Sequence, residues 1–165
     1  MVQLTLAKAL NAGLARAMAD DDRVVLLGQD IGTLGGVFRV TEGLQERFGA
    51  RRVMDSPLAE AAIVGTAIGM ARRGYTTVCE IQFDGFVFPA YDQIVNQAAK
   101  LRFRSQGRVT APIVIRLPYG GNVGSIEHHG ESPEALFTPV PGLRLITPST
   151  PADAYQMIRQ AVTCP

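Results

Sequence analysis

Glu60 is the one ionisable side chain in the stretch Pro57-Leu58-Ala59-Glu60-Ala61-Ala62-Ile63-Val64-Gly65-Thr66-Ala67-Ile68-Gly69-Met70-Ala71. The places three and four residues away hold Pro57, Ser56, Ile63 and Val64, so no Lys or Arg of its own helix can pair with it. A helix apolar on all sides belongs in a core or an interface, where a glutamate is rarely buried unless something meets its charge. Two roles are open to it. A carboxylate in a first helical turn interacts favourably with the helix dipole and reaches solvent. A buried one is a hydrogen-bonding or proton-transfer group whose partner comes from elsewhere.

The two histidines, His128 and His129, sit side by side in a glycine-rich loop, Gly120-Gly121-Asn122-Val123-Gly124-Ser125-Ile126-Glu127-His128-His129-Gly130-Glu131. Neighbouring side chains on extended backbone point to opposite faces, which makes the pair a poor metal site. No Cys or carboxylate cluster at ligand spacing accompanies them, so no metal ligands are assigned in this chain. Proton transfer or substrate orientation is the chemistry such a loop histidine can do; the plainer alternative is two solvated loop residues. Gly28-Gln29-Asp30-Ile31-Gly32 lacks the spacing of a dinucleotide fingerprint, and no Gly-x-x-x-x-Gly-Lys-Ser/Thr loop occurs. Gly65-x-x-x-Gly69 with Ala61 and Ala62 forms a small-residue face, suited to core packing or to close contact with a helix of another subunit.

These residues need a frame. Helical spacing runs from Leu6 to Met18 and stops at Asp20-Asp21-Asp22. Val24-Val25-Leu26-Leu27 is too short for a helix and reads as a strand entering a glycine loop. A short helix is expected over residues 41–48, closed by Gly49, then a brief extended link at Arg52-Val53-Met54-Asp55. For the Glu60 helix, Ser56 is the expected N-cap, Pro57 the first helical residue, and Gly74 lies just past the end. A strand follows at residues 76–81, then a helix over residues 84–103 with an aromatic entry. Pro112-Ile113-Val114-Ile115-Arg116-Leu117 reads as the clearest buried strand. Leu143-Arg144-Leu145-Ile146 reads as another, followed by a helix from Pro151 to Val162, after which a closing strand would be next. Apolar strands alternating with helices predict an α/β fold, a mostly parallel sheet with helices on both faces. Ligands in such sheets bind beyond the carboxyl ends of the strands. The loops there are 28–36, 82–88 and 119–131.

At 165 residues, 47% hydrophobic and 19% charged, the chain reads as one globular domain. A formal net charge of +1 gives no electrostatic case for nucleic acid or an anionic membrane. Lys100, Arg102, Arg104 and Arg108 read as a solvated helix end. No apolar run reaches spanning length and no secretory signal opens the chain, so no membrane segment is expected. Cys79 and Cys164 have no paired spacing, which points to a reducing compartment, by default the cytoplasm.

Three segments then carry a resemblance. Gly35-Gly36-Val37-Phe38-Arg39-Val40-Thr41-x-Gly43-Leu44, Ser56-Pro57-Leu58-Ala59-Glu60-x-x-Ile63-Val64-Gly65 and Glu80-Ile81-Gln82-Phe83-x-x-Phe86-Val87-Phe88-Pro89-Ala90-Tyr91-Asp92-Gln93-Ile94 resemble the beta subunit of thiamine-diphosphate-dependent 2-oxoacid dehydrogenases. Lys100-x-Arg102-x-Arg104-Ser105, His129-Gly130-Glu131-Ser132-Pro133-Glu134 and Pro141-Gly142-Leu143 continue it, in order and across essentially the whole chain. The segment from Glu80 to Pro89 and the His-x-x-Ser-Pro-Glu segment are more similar to the branched-chain branch (3-methyl-2-oxobutanoate dehydrogenase, lipoamide type) than to the pyruvate branch. A pyruvate or acetoin dehydrogenase beta subunit is the alternative. From another class, so is a non-catalytic α/β binding module.

The resemblance implies a transketolase-like pyrimidine-binding domain over residues 1–165, about the first half of such a subunit, with the C-terminal transketolase-like domain lying outside it. It implies an alpha subunit that holds the diphosphate and its Mg²⁺, and an α2β2 heterotetramer with the active site between subunits. It implies a 2-oxoacid substrate and a lipoyl-bearing dihydrolipoyl transacylase that receives the acyl group. Glu60 matches the glutamate that hydrogen-bonds N1′ of the cofactor aminopyrimidine. Phe86 matches the aromatic position packing on that ring, and Leu58 and Gln82 match positions near ring and substrate. His129 matches the histidine that orients substrate or the incoming lipoyl group; His128 falls one place before the match. Gln29 departs from the family's Gly-Glu-Asp loop, which puts a proton relay through it in doubt. Phe86 stands where branched-chain members often carry Tyr.

Overall fold

The computed structural model describes residues 4–120, 123–125 and 127–164. Thr5 opens helix α1 (Leu6–Asp20) by accepting a hydrogen bond from the Lys8 amide at 3.3 Å. Strand β1 (Val24–Gly28) follows, then α2 (Leu44–Phe48), β2 (Val53–Asp55), α3 (Glu60–Ala71) and β3 (Thr76–Glu80). After a 3₁₀ helix (Asp84–Ala90) and a π-helical segment (Gln93–Ala98) come α4 (Ala99–Arg104), β4 (Ile113–Arg116), α5 (Glu134–Phe137) and α6 (Pro151–Thr163). The four strands form one parallel sheet in the order β2-β1-β3-β4. This is the α/β architecture expected from the alternation of apolar strands and helices.

Period-two alternation sends the strand side chains to two separate cores. Val24, Leu26, Val53 and Val78 pack under α1 and α6 with Leu14, Met18, Ala154 and Ile158. Leu27 and Cys79 point to the other face, where Ile63, Val64 and Ala67 of α3 meet Val87 and Ala90 of the 3₁₀ helix. Thr150 caps α6 by accepting from the Asp153 amide at 3.1 Å, and Pro151 occupies the first turn.

Four local expectations are corrected. Helix α3 begins at Glu60, with Ala59 as its N-cap and no side-chain cap, so Ser56 and Pro57 precede the helix. The Ser56 amide is drawn away to the β1 carbonyl of Gly28 at 2.9 Å, which keeps this segment extended. The stretch over residues 84–103 is three helical pieces rather than one. Pro89 supplies no N–H and disfavours α geometry at Phe88, so the chain starts in a tighter helix and reaches α geometry only later. Among the described residues strand β4 is a half-buried edge, paired with β3 alone, not the best-buried strand. Residues 143–146 form no strand. They run beside an apolar groove of about 410 Å³, lined also by Ile113, Ile115 and Leu117, and have no ladder partner among the described residues.

Candidate active site

In this strand order the chain steps from β1 to β2 on one side and returns to β3 on the other. The crevice between the carboxyl ends of β1 and β3 is therefore the switch point where such sheets bind ligands. Gln82 spans it. Its Nε2 donates to Asp30 Oδ2 at 3.1 Å and to the Gln29 carbonyl at 3.4 Å. That orientation leaves Oε1 as the acceptor the side chain presents. Asp30 holds a left-handed backbone, φ 57°, which a short polar side chain tolerates better than most. Its own carbonyl accepts from the Gly36 amide at 2.8 Å, folding the glycine loop back over the strand end.

Glu60 sits in the first turn of α3 at the same end of the sheet. It is 8% exposed, and among the described residues no donor or cation meets its carboxylate. Its first-turn position still places it in the favourable field of the helix dipole. The two sequence alternatives thus coexist: the residue is at the helix start, and it is buried. Leu58, two residues earlier, is 67% exposed. Both features suit a ligand that offers the carboxylate a hydrogen-bond donor and Leu58 an apolar surface.

Phe86 and His129 are brought together. The His129 ring stacks on Phe83 (centroids 4.2 Å apart, 23° between planes) and meets Phe86 edge-on at 4.9 Å. His128 is exposed, its ring 4.1 Å from that of His129. The segment is tied down from below: Asp84, 2% exposed, accepts the Glu131 amide at 2.8 Å. A Cβ at Gly85 would overlap the His128 carbonyl, so only glycine lets the loop lie this close. Tyr119, at the start of the loop, has its phenol pKa raised by the Glu134 carboxylate, with burial adding to the shift. Glu60 and Leu58 share no hydrogen bond or ring contact with this aromatic group among the described residues. The link between them is the packing of α3 against the 3₁₀ helix.

The sequence model of the family described as transketolase, pyrimidine binding domain, matches residues 2–165. The chain belongs to this family. It is 61% identical over 159 residues to the pyruvate dehydrogenase E1 component subunit beta of Leifsonia xyli, covering 96% of this chain and 47% of that protein. It is 51% identical over 162 residues to the 3-methyl-2-oxobutanoate dehydrogenase subunit beta of Mycobacterium tuberculosis, covering 98% and 47%. A solved split-gene transketolase, an inactive beta4 tetramer, superposes with a TM-score of 0.76 at 16% identity, covering 99% of this chain and 49% of its own, and shares the fold. The chain spans about half the length of the curated relatives it matches.

Within this pyrimidine-binding fold, sequence reading missed four side chains. Asp84 was absorbed into a predicted helix, and its role depends on a loop 47 residues later. Phe83 stands in the family segment with no role of its own until the structure stacks it on His129. Glu80 and Arg116 each close an apolar strand with a charge. They stand in register on β3 and β4 and form a buried ion pair. Opposite charges at the ends of two apolar runs were the available signal.

Proposed function

We propose that this chain is the pyrimidine-binding part of the beta subunit of a thiamine-diphosphate-dependent 2-oxoacid dehydrogenase. In this reading the assembly acts on branched-chain 2-oxoacids and passes the acyl group to lipoyl-lysine of a dihydrolipoyl transacylase. The observation that carries it is Glu60, a largely buried residue in the first turn of α3 whose carboxylate has no hydrogen-bond partner among the described residues. Bound thiamine diphosphate supplies the electron sink that decarboxylation of a 2-oxoacid requires.

The residues of this chain orient and move protons. Glu60 holds a proton at N1′ of the aminopyrimidine, and its apolar neighbours strengthen that hydrogen bond. Phe86, with Leu58, packs against the ring. Gln82 presents Oε1, held in place by Asp30. His129 orients the substrate carboxylate or the incoming lipoyl group. The described residues contain no group of three or more His, Cys, Asp or Glu placed to hold a metal ion. The diphosphate and Mg²⁺ are assigned to the alpha subunit, in an α2β2 assembly.

The branched-chain preference is supported by the segment from Glu80 to Pro89 and by His129-Gly130-Glu131-Ser132-Pro133-Glu134. The 61% identity to a chain named for pyruvate favours the second reading, a pyruvate dehydrogenase. A kinetic panel on the full-length subunit assembled with its alpha partner separates them. Specificity for 3-methyl-2-oxobutanoate should exceed that for pyruvate by at least about tenfold, the low end of what even one added carbon supplies in an apolar pocket. The reverse order establishes the pyruvate reading. Decarboxylation of neither, with cofactor and Mg²⁺ present, overturns both.

A further inference from the structure

Four consecutive residues, Phe83-Asp84-Gly85-Phe86, form the receptor for the His129 segment. Phe83 and Phe86 hold the imidazole from face and edge, Gly85 accommodates the His128 carbonyl, and Asp84 takes the Glu131 amide. Anchoring one backbone N–H needs one oxygen, and an asparagine would offer it as well. The residue is instead an aspartate, 2% exposed, whose second oxygen, Oδ1, is buried without a partner. On the loop that Asp84 ties down, His129 Nδ1 is also buried without a partner. A buried acceptor and a buried ring nitrogen are each costly alone and satisfy one another when paired. A carboxylate on Nδ1–H is also the arrangement that fixes the tautomer of an imidazole and directs its other nitrogen outward.

We infer that Asp84 is a positioning residue for His129. Oδ2 ties the loop at Glu131; Oδ1, unpaired in this structure, would take the Nδ1–H in the working enzyme and so set Nε2 as the nitrogen facing substrate. Two sites of one carboxylate thereby place and polarise the histidine. This inference rests on the proposed role of His129 at the substrate, and the variants keep the two apart.

The test uses the full-length subunit assembled with its alpha partner, as Asp84→Asn, Asp84→Ala, His129→Ala and the Asp84→Asn, His129→Ala double variant. Asp84→Asn keeps an oxygen for the Glu131 amide but offers Nδ1 an NH₂ group. Its Tm and its thiamine diphosphate Kd should stay close to wild type, while kcat falls about ten- to a hundredfold with KM nearly unchanged. In the His129→Ala background the same change should alter kcat by less than about twofold, because the coupled group is gone. Asp84→Ala, which loses the anchor too, should lower Tm as well. The inference is overturned if Asp84→Asn turns over at the wild-type rate, or lowers kcat equally in both backgrounds. It is also overturned if Asp84→Asn loses as much Tm and cofactor affinity as Asp84→Ala, which would make the residue a loop anchor only. Wild-type turnover by His129→Ala removes the role of His129 at the substrate, and the inference falls with it.

Discussion

Replacing Arg116 by methionine should destabilise the sheet more than any single change at the strand ends. Glu80 and Arg116 are register partners on β3 and β4, with side chains 4% and 11% exposed. Arg116 Nε donates to Glu80 Oε2 at 3.1 Å, and the other carboxylate oxygen is buried with no partner. The guanidinium is thus what offsets the desolvation of the carboxylate. Removing one member of a buried pair costs about 3–5 kcal/mol, whereas replacing both by neutral groups of similar volume is often neutral. The unpaired Oε1 argues for the upper part of that range, since no second donor can take up the charge. Against a total stability of about 5–15 kcal/mol, that is a large fraction. Urea denaturation followed by far-UV circular dichroism, on Arg116→Met, Glu80→Gln and the double variant, measures it. Arg116→Met should lose about 3–5 kcal/mol and the double variant should regain most of it. A loss under about 1 kcal/mol, or simple additivity, would refute the reasoning about this pair.

Other outcomes follow from the same geometry. Burial pushes the Cys79 thiol up to about 12, from an ordinary value near 9. In that window the native chain binds the extra proton, so this group makes stability fall as pH rises from about 9 to about 12. At pH 8 a disulfide reagent should label Cys164 in the native chain, and Cys79 only after denaturation; equal rates for both would contradict the buried position. Gln82→Glu places a second carboxylate against Asp30 Oδ2, so stability should drop by about 1–3 kcal/mol at neutral pH and recover as the pH falls. A Tm independent of pH in that variant would count against the bridge across the switch point. Thr150→Ala removes the α6 cap and should cost about 1 kcal/mol, read as a shift in the urea midpoint.

Local properties were legible in the sequence, and properties set by distant partners were not. The strands β1, β3 and β4 stand where short apolar runs placed them, and the absence of a helical neighbour for Glu60 was visible from spacing alone. The edge position of β4 was hidden, because an apolar run looks the same in the middle of a sheet and at its border. Residues 143–146 have strand composition, but a strand exists only where another chain segment completes its ladder. Helix α3 starts later than its cap-like Ser56 suggests because a backbone bond to Gly28 outcompetes the cap. The partnership of Asp84 with the histidine loop needed the fold itself.

Exchange of the thiazolium C2 proton of thiamine diphosphate for deuterium, measured in the assembled enzyme, tests the role of Glu60 most directly. If Glu60 holds the proton at N1′, Glu60→Gln should slow that exchange by about 10²–10⁴-fold while leaving the fold intact, the range expected for a positioned acid–base group. Exchange at the wild-type rate in Glu60→Gln, with cofactor bound, would contradict it.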